Sequence, residues 1–513
     1  MALPIKLLNI HFGERDALHE FMKQDKDDLS ILDNSFVVPP RVRIAELESG
    51  SRYFVLGPKG SGKTTLLWHL MRKEQNSSHR IILFKSEIRK EDRDRLDKMV
   101  GWVVVEDQKK IKTESDYKSV WEWYLLKNIF SLIKREDIIS GHNIFHDIQK
   151  ILNIKTNRIN TIFDNFHINS VKGKINFGFA HGDFKSEIGA EIEARQKDAN
   201  ANLDFLDVLR IVKQFTQEII FRNTTRVRLY FDELEFFMSS DDDGERDRRL
   251  IRDLIFAIYY INTLFSKCDA NICILASLRT EILNSLHANN QEVEKIIDAF
   301  GVKISWYNKS EAKQKIITIF ENKIKYSEVM LEARHSYHPW ATYFPEAVEG
   351  KEIKSYLLDL GLHRPRGVLL RLAAALEVIE DDDCKFEESH FLDSEESFGR
   401  FMLQEFTEEM SAFFDNKERE WILSLFRGHD FAFDYEELQK RVLYSKRKHN
   451  QISAEYIIKS LYRIGMIGNQ FTVNSDSGYE NYRAYWSYRG NIDPIIEERF
   501  VLHQSVRKVL QAV

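Results

Sequence analysis

Cysteine is scarce in this sequence. Its 513 residues include three, Cys268, Cys273 and Cys384, and no C-x-x-C pair, so neither a zinc module nor a disulfide framework is suggested. Cys273 lies inside an apolar run and reads as a small buried hydrophobe. Long apolar runs are missing too. No stretch approaches the roughly 20 residues that a membrane helix needs, and the amino terminus, MALPIKLLNIHFGERD, has no charged start, apolar segment and small-residue cleavage site of the secretory kind. These absences predict a cytoplasmic protein with no membrane partner. Internal repeats and low-complexity segments are not evident. A strong charge excess is also lacking: the net charge of −6 argues against a protein coated in nucleic acid, while a local basic patch stays compatible with it.

What is present is an ordinary globular composition, 43% hydrophobic and 30% charged. The chain is too long for one compact core, so about two to four domains are expected. The most informative stretch is GPKGSGKTTLL, which follows the apolar run Tyr53 to Leu56. It matches G-x-x-x-x-G-K-[ST] through Gly57, Gly62, Lys63 and Thr64, and the helical spacing of TTLLWHLMRKE follows it. In such a loop, formed by Gly57, Pro58, Lys59, Gly60, Ser61 and Gly62, the backbone N–H groups, which Pro58 lacks, cradle the phosphates, Lys63 reaches the β and γ oxygens, and Thr64, with Thr65 beside it, begins the helix. The Thr64 hydroxyl is a ligand for Mg2+. ATP and Mg2+ are therefore the expected cofactors.

Two later strands complete this chemistry. RVRLYFDELEFF, Arg226 to Phe237, is a buried strand that ends in Asp232 and Glu233. Asp232 would hold the metal and Glu233 would orient or deprotonate the attacking water. NICILASLRTEIL ends in Ser277 and Arg279, on the side where parallel sheets bind ligands. They would position the water and place charge near the phosphates; a capping serine and a surface arginine are the alternative. RIILFKSE, Arg80 to Glu87, and VKISWY, Val302 to Tyr307, read as further strands. Phe166 to Glu193 reads as a hairpin, either an insertion or an edge of the main sheet. In LGLHRPRGVLLRLAAALEVI, Arg364 and Arg366 flank a proline at a helix start, where they serve either as lid residues on the γ-phosphate or as a solvated basic cap.

From Glu418 onward three helical segments and two aromatic strands read as a winged helix, its third helix starting at a Ser453 cap and stopping near Gly465. Arg441, Lys446, Arg447, Lys448, Lys459 and Arg463 face one acid, Glu455. This local positive field suits double-stranded DNA, although the third helix offers few base-reading side chains and docking on protein is the competing reading.

In this order, GPKGSGKT, LYFDELE, LASLRTEI and HRPRG resemble the Walker A, Walker B, sensor-one and sensor-two motifs of the AAA+ and STAND P-loop ATPases, particularly the origin-recognition-like branch. With FVVPP and LYRIGMIGN…YRG added, the chain is similar to a family of bacterial P-loop ATPases scattered among genomes. The resemblance implies an α/β fold with a parallel sheet in 5-1-4-3-2 order, a helical lid, and homo-oligomers in which a neighbour's arginine completes the site; Arg248 and Arg252 are the candidates for it. It also implies roles in phage defence or genome maintenance with an effector protein as partner. The expected organisation is an N-terminal extension (1–50), a core (51–310) with an insertion around 115–220, a lid (311–385) and the winged helix (390–513). Three functions stay open: an ATP-driven switch, a DNA-stimulated motor or loader, and a nucleotide-binding scaffold with little turnover.

Overall fold

The computed structural model describes residues 4–22, 26–74, 77–87, 117–152, 188, 205–234, 241–287, 291–308, 314–333, 336–445, 452–474, 480–491 and 493–512. Its centre is a five-stranded sheet of β1 (Phe54–Gly57), β2 (Ser78–Leu83), β3 (Val227–Leu234), β4 (Ile272–Arg279) and β5 (Gly301–Lys303). The strands run parallel in the order β2-β3-β4-β1-β5, which is 5-1-4-3-2 read from the other edge. β1 is buried throughout and β3 and β4 nearly so, as a parallel sheet covered on both faces requires. Leu83 stands opposite Asp232, Val55 opposite Ser277 and Gly57 opposite Arg279. That register gathers the carboxyl ends of four strands on one side of the sheet.

Around the sheet lie α1 (Ala17–Met22), α2 (Lys63–Lys73), α3 (Lys118–Leu132), α4 (Asp241–Lys267), α5 (Lys315–Met330), α6 (Ile353–Leu360), α7 (Pro365–Leu376) and α8 (Glu395–Met410). α3, in the segment expected to be an insertion, packs on α4 and β3. It is buried nearly all round, with the Trp121 indole donating to the Leu250 carbonyl at 3.0 Å and the buried Glu122 paired with Lys213 at 2.6 Å. A buried charge needs such a partner. The hairpin expected from Phe166 to Glu193 lies outside the described residues, Ile188 apart.

Two expected strands are shorter than the sequence implied. β2 stops at Leu83, and Phe84–Glu87 is a helical turn. Glu87 accepts from the Leu83 amide at 3.1 Å and from Arg80 at 3.2 Å, which fixes the chain reversal. β5 ends at Lys303; Trp306 turns its indole to the Ser61 carbonyl instead.

The carboxyl-terminal part holds α9 (Asn416–Ser424), β6 (Ala432–Phe433), α10 (Tyr435–Tyr444), α11 (Ala454–Ile464), β7 (Ile467–Asn474), β8 (Glu480–Tyr485) and β9 (Arg499–Leu502). Its antiparallel sheet has the order β6-β9-β7-β8; β9 was not foreseen. The Ser453 hydroxyl accepts from the Tyr456 amide at 3.2 Å and starts α11, while Gly465, at φ +85°, stops it. Only glycine takes that left-handed conformation without strain. α11 buries Ile457, Ile458, Leu461 and Tyr462 and exposes Glu455, Tyr456, Lys459 and Arg463. Lys446, Arg447 and Lys448 lie outside the described residues. Among the described residues no helix is long and apolar enough to cross a membrane.

α6 is bonded to the carboxyl-terminal part through charge. Asp359 meets His363 at 3.1 Å and also Lys351 and Arg489. Burial alone would raise its carboxyl, but the His363 hydrogen bond, Arg489 and Lys351 hold it well below the ordinary range. The Asp359 carbonyl also lies 3.2 Å from Nε2 of His503, a ring whose pKa burial pushes down to about 3 and which is therefore neutral at pH 7.

Candidate nucleotide site

β1 delivers the chain into the loop Gly57–Gly62, and α2 begins at Lys63. Gly60 and Gly62 have φ of +74° and +88°. A side chain at Gly60 would be strained and would also put its Cβ 2.7 Å from Cβ of Arg366. The loop is held by its carbonyls. Arg364 Nη1 donates to Lys59 at 3.3 Å, the Arg366 amide to Gly60 at 3.3 Å and the Trp306 indole to Ser61 at 2.8 Å. Lys63 Nζ donates to the Gly57 and Pro58 carbonyls at 3.0 Å each. Phosphate oxygens at this loop would have to draw the ammonium off these two carbonyls.

Across the cavity, Asp232 is 2% exposed. Its Oδ1 accepts from the Ser277 hydroxyl, and its Oδ2 is buried with no protein partner. A buried carboxylate oxygen left open in this way suits a cation or its water shell, and the Thr64 hydroxyl residue borders the same cavity. These are oxygen donors, the set that Mg2+ prefers, so the residues fit the metal. Glu233 has φ +56°, a region that non-glycine residues rarely occupy. Its Oε2 accepts from the Ser86 hydroxyl at 2.8 Å.

Ser86 was missed by the sequence reading, which placed it inside a strand. The available signal was its position straight after a buried run destined to pair with the Asp-Glu strand. Ser86→Ala removes one of the contacts that hold the Glu233 carboxylate and is expected to raise basal turnover about threefold at unchanged nucleotide affinity, since one hydrogen bond to a charged acceptor is worth about 1.5–3 kcal/mol and only part of that would reach the barrier. Steady-state phosphate release alongside calorimetric binding tests this; a loss of turnover would mean that Ser86 aims Glu233 productively.

A cavity of about 600 Å³ lies between the sheet, α5, α7, α8 and the amino-terminal segment, within the range of small-molecule sites. Lys59, Gly60, Gly62, Lys63, Thr64, Thr65, Asp232, Glu233, Ser277, Arg279 and Arg366 all border it. Gly57, Pro58, Ser61 and Arg364 do not. The first three supply loop carbonyls, and the Ser61 amide donates to the Pro58 carbonyl at 3.3 Å. Arg364 is 7% exposed and turns away from the cavity to Glu409 and to the Ile464 carbonyl, 3.1 Å away at the end of α11. Its expected place as a nucleotide ligand is thus replaced by one at a junction of loop, α8 and α11. Burial pushes the Glu409 carboxyl up, against the pull of the Arg364 guanidinium. Arg248 and Arg252 lie on α4 and do not border the cavity either; Arg252 Nε is 2.8 Å from Asp253.

The amino-terminal segment does more than lead into the core. Leu18, Phe36, Val37 and Pro39, with Phe320 of α5, form an apolar wall of the cavity, the kind of surface that takes a planar base. FVVPP stood out in the sequence as part of a resemblance, but nothing marked this segment as a cavity wall. Glu405 and Glu408 of α8 border the cavity as well.

Comparisons with known proteins bear on the phosphate loop. The ABC transporter family profile matches residues 44–185, a span that takes in the loop and β2 and ends before Asp232. The crystal structure of Cdc6p from Pyrobaculum aerophilum aligns over 99% of this chain and 99% of that one, at 10% identity and a TM-score of 0.31. No curated protein matches the chain. The motif, the strand that feeds it, the helix that follows and the sheet order together make this a P-loop nucleotide-binding domain.

Proposed function

We propose that the protein is an ATP-hydrolysing switch. The reading is carried by one observation: Lys59, Gly60, Gly62 and Lys63 of the phosphate loop, the Asp232 and Glu233 pair, Ser277, Arg279 and Arg366 border a single cavity. In this reading the loop amides and Lys63 bind the phosphates. Thr64 and Asp232 would hold Mg2+, which would supply charge neutralisation on the phosphate oxygens. Glu233 takes the proton of the attacking water, Ser277 fixes Asp232, and Arg279 and Arg366 meet the charge that develops on the γ-phosphate. A loop gripped by the first turn of α7 gives lid and nucleotide a common handle, and Arg364 extends it to α11.

The carboxyl-terminal part we read as a winged helix, and the protein as a homo-oligomer in its nucleotide-bound state. Tyr456, Lys459 and Arg463 on the outer face of α11 and Tyr482 on β8 are exposed, a basic and aromatic surface that favours double-stranded DNA as a ligand. Service in phage defence or genome maintenance, with an effector protein, rests on the resemblance alone. ATP turnover by the purified chain with and without double-stranded DNA, at two salt concentrations and with mass photometry on the same samples, tests the reading. A switch is expected to turn over slowly, below about 1 s⁻¹ against a median enzyme near 10 s⁻¹, and to change assembly with nucleotide. Turnover raised tenfold by DNA would make it a motor or loader instead.

A further inference from the structure

Two cations of this site, Lys59 and Arg366, are already in contact with carboxylates. Lys59 Nζ, on a side chain 6% exposed, lies 2.9 Å from Glu405 and still closer to Glu408. Arg366 lies 3.5 Å from Asp16 and 3.7 Å from Glu405. Burial alone would raise the Glu408 carboxyl, yet Lys59 first and Arg279 after it hold it below its ordinary value. Two acids three residues apart on α8 thus sit in the field of Lys59, Arg279 and Arg366, and both border the cavity.

Resting on the reading of that cavity as a nucleoside triphosphate site, we propose that α8 is an internal competitor of the nucleotide: Glu405 and Glu408 hold Lys59 of the loop and Arg366 of the lid until the phosphates displace them. Phosphates and carboxylates compete for the same donors, and like charges brought together on a low-dielectric wall repel. Nucleotide binding therefore breaks the contacts between α8 and the loop. The strain passes on where α8 is attached, through Glu409 to Arg364 and from Arg364 to the carbonyl end of α11. α8 does not need its acids to stay in place. Phe398, Met402, Phe406 and Met410 repeat at helical spacing along its other face and are buried.

The test is calorimetric titration of the full chain with MgATP and MgADP. Glu405→Gln with Glu408→Gln is expected to bind MgATP about tenfold tighter, and to gain less for MgADP, whose charge is smaller. Unchanged or weaker MgATP binding by the folded double variant would overturn the proposal, since the acids would then be supports for the loop. Should the double variant melt early, Glu408→Gln alone, with the more exposed carboxylate, is read the same way. A wild type that binds MgATP while the variant gains nothing sinks the competitor and leaves the nucleotide site standing; no binding by either chain sinks both.

Discussion

Glu233→Gln is expected to bind MgATP within about twofold of the wild type and to hydrolyse it at least 100-fold more slowly, the lower end of what removing a general base costs. The swap keeps the shape and both heavy atoms at the carboxyl position. It therefore keeps the backbone at φ +56°, and the amide oxygen can still accept from the Ser86 hydroxyl, which stands 2.8 Å from Oε2 in the wild type. Asp232, the residue with the open Oδ2, is untouched, so metal and phosphate binding stay. What disappears is the ability to receive a proton from water as it attacks phosphorus, because a neutral amide oxygen is far too weak a base. Phosphate release by a coupled assay, with calorimetric binding on the same preparation, separates the two effects. Hydrolysis at the wild-type rate would remove Glu233 from the mechanism. Lost binding would move it into the phosphate or metal shell.

Much of the sheet and loop was legible because their signals are local. A buried strand, a glycine loop and an apolar helix follow one another within Phe54 to Lys73, and a second buried strand carries Asp232. The Ser453 cap and Gly465 stop of α11 were equally readable, since each is a matter of one side chain or one backbone angle. Side chains whose roles depend on distant partners were not. Arg364 looks the same in sequence whether it faces a phosphate or Glu409, and only the packing of α8 against α7 decides between them. Glu405 and Glu408 drew no reading from the sequence, because Lys59, which lies against them, is 346 and 349 residues away along the chain. The short helix Phe84–Glu87 was hidden because Phe84 continues the apolar run of β2 while its ring leaves the sheet and packs on Trp121, with centroids 5.9 Å apart.

Lys63→Ala is expected to abolish measurable MgATP binding, a loss of at least about 100-fold, which corresponds to about 2.7 kcal/mol. The side chain is 9% exposed and projects from the first residue of α2, where the helix N-terminus already favours anions. Removing it takes away the one cation that grows from the loop's own end of the helix and leaves the Gly57 and Pro58 carbonyls without the donor they share. The loss of those two bonds is offset by removal of a buried ammonium and its desolvation cost, and α2 stays anchored by Leu66, Leu67 and Leu70, all buried. The variant should therefore fold, and its melting temperature separates the two consequences. At MgATP one hundred times its dissociation constant, the wild type gains about 2.7 kcal/mol from ligand and melts higher. Lys63→Ala should melt within a few degrees of the ligand-free wild type and should not respond to MgATP. An undiminished shift in the variant would mean that the phosphates are held elsewhere in the cavity, by Arg279 and Arg366, and that the loop does not cradle them.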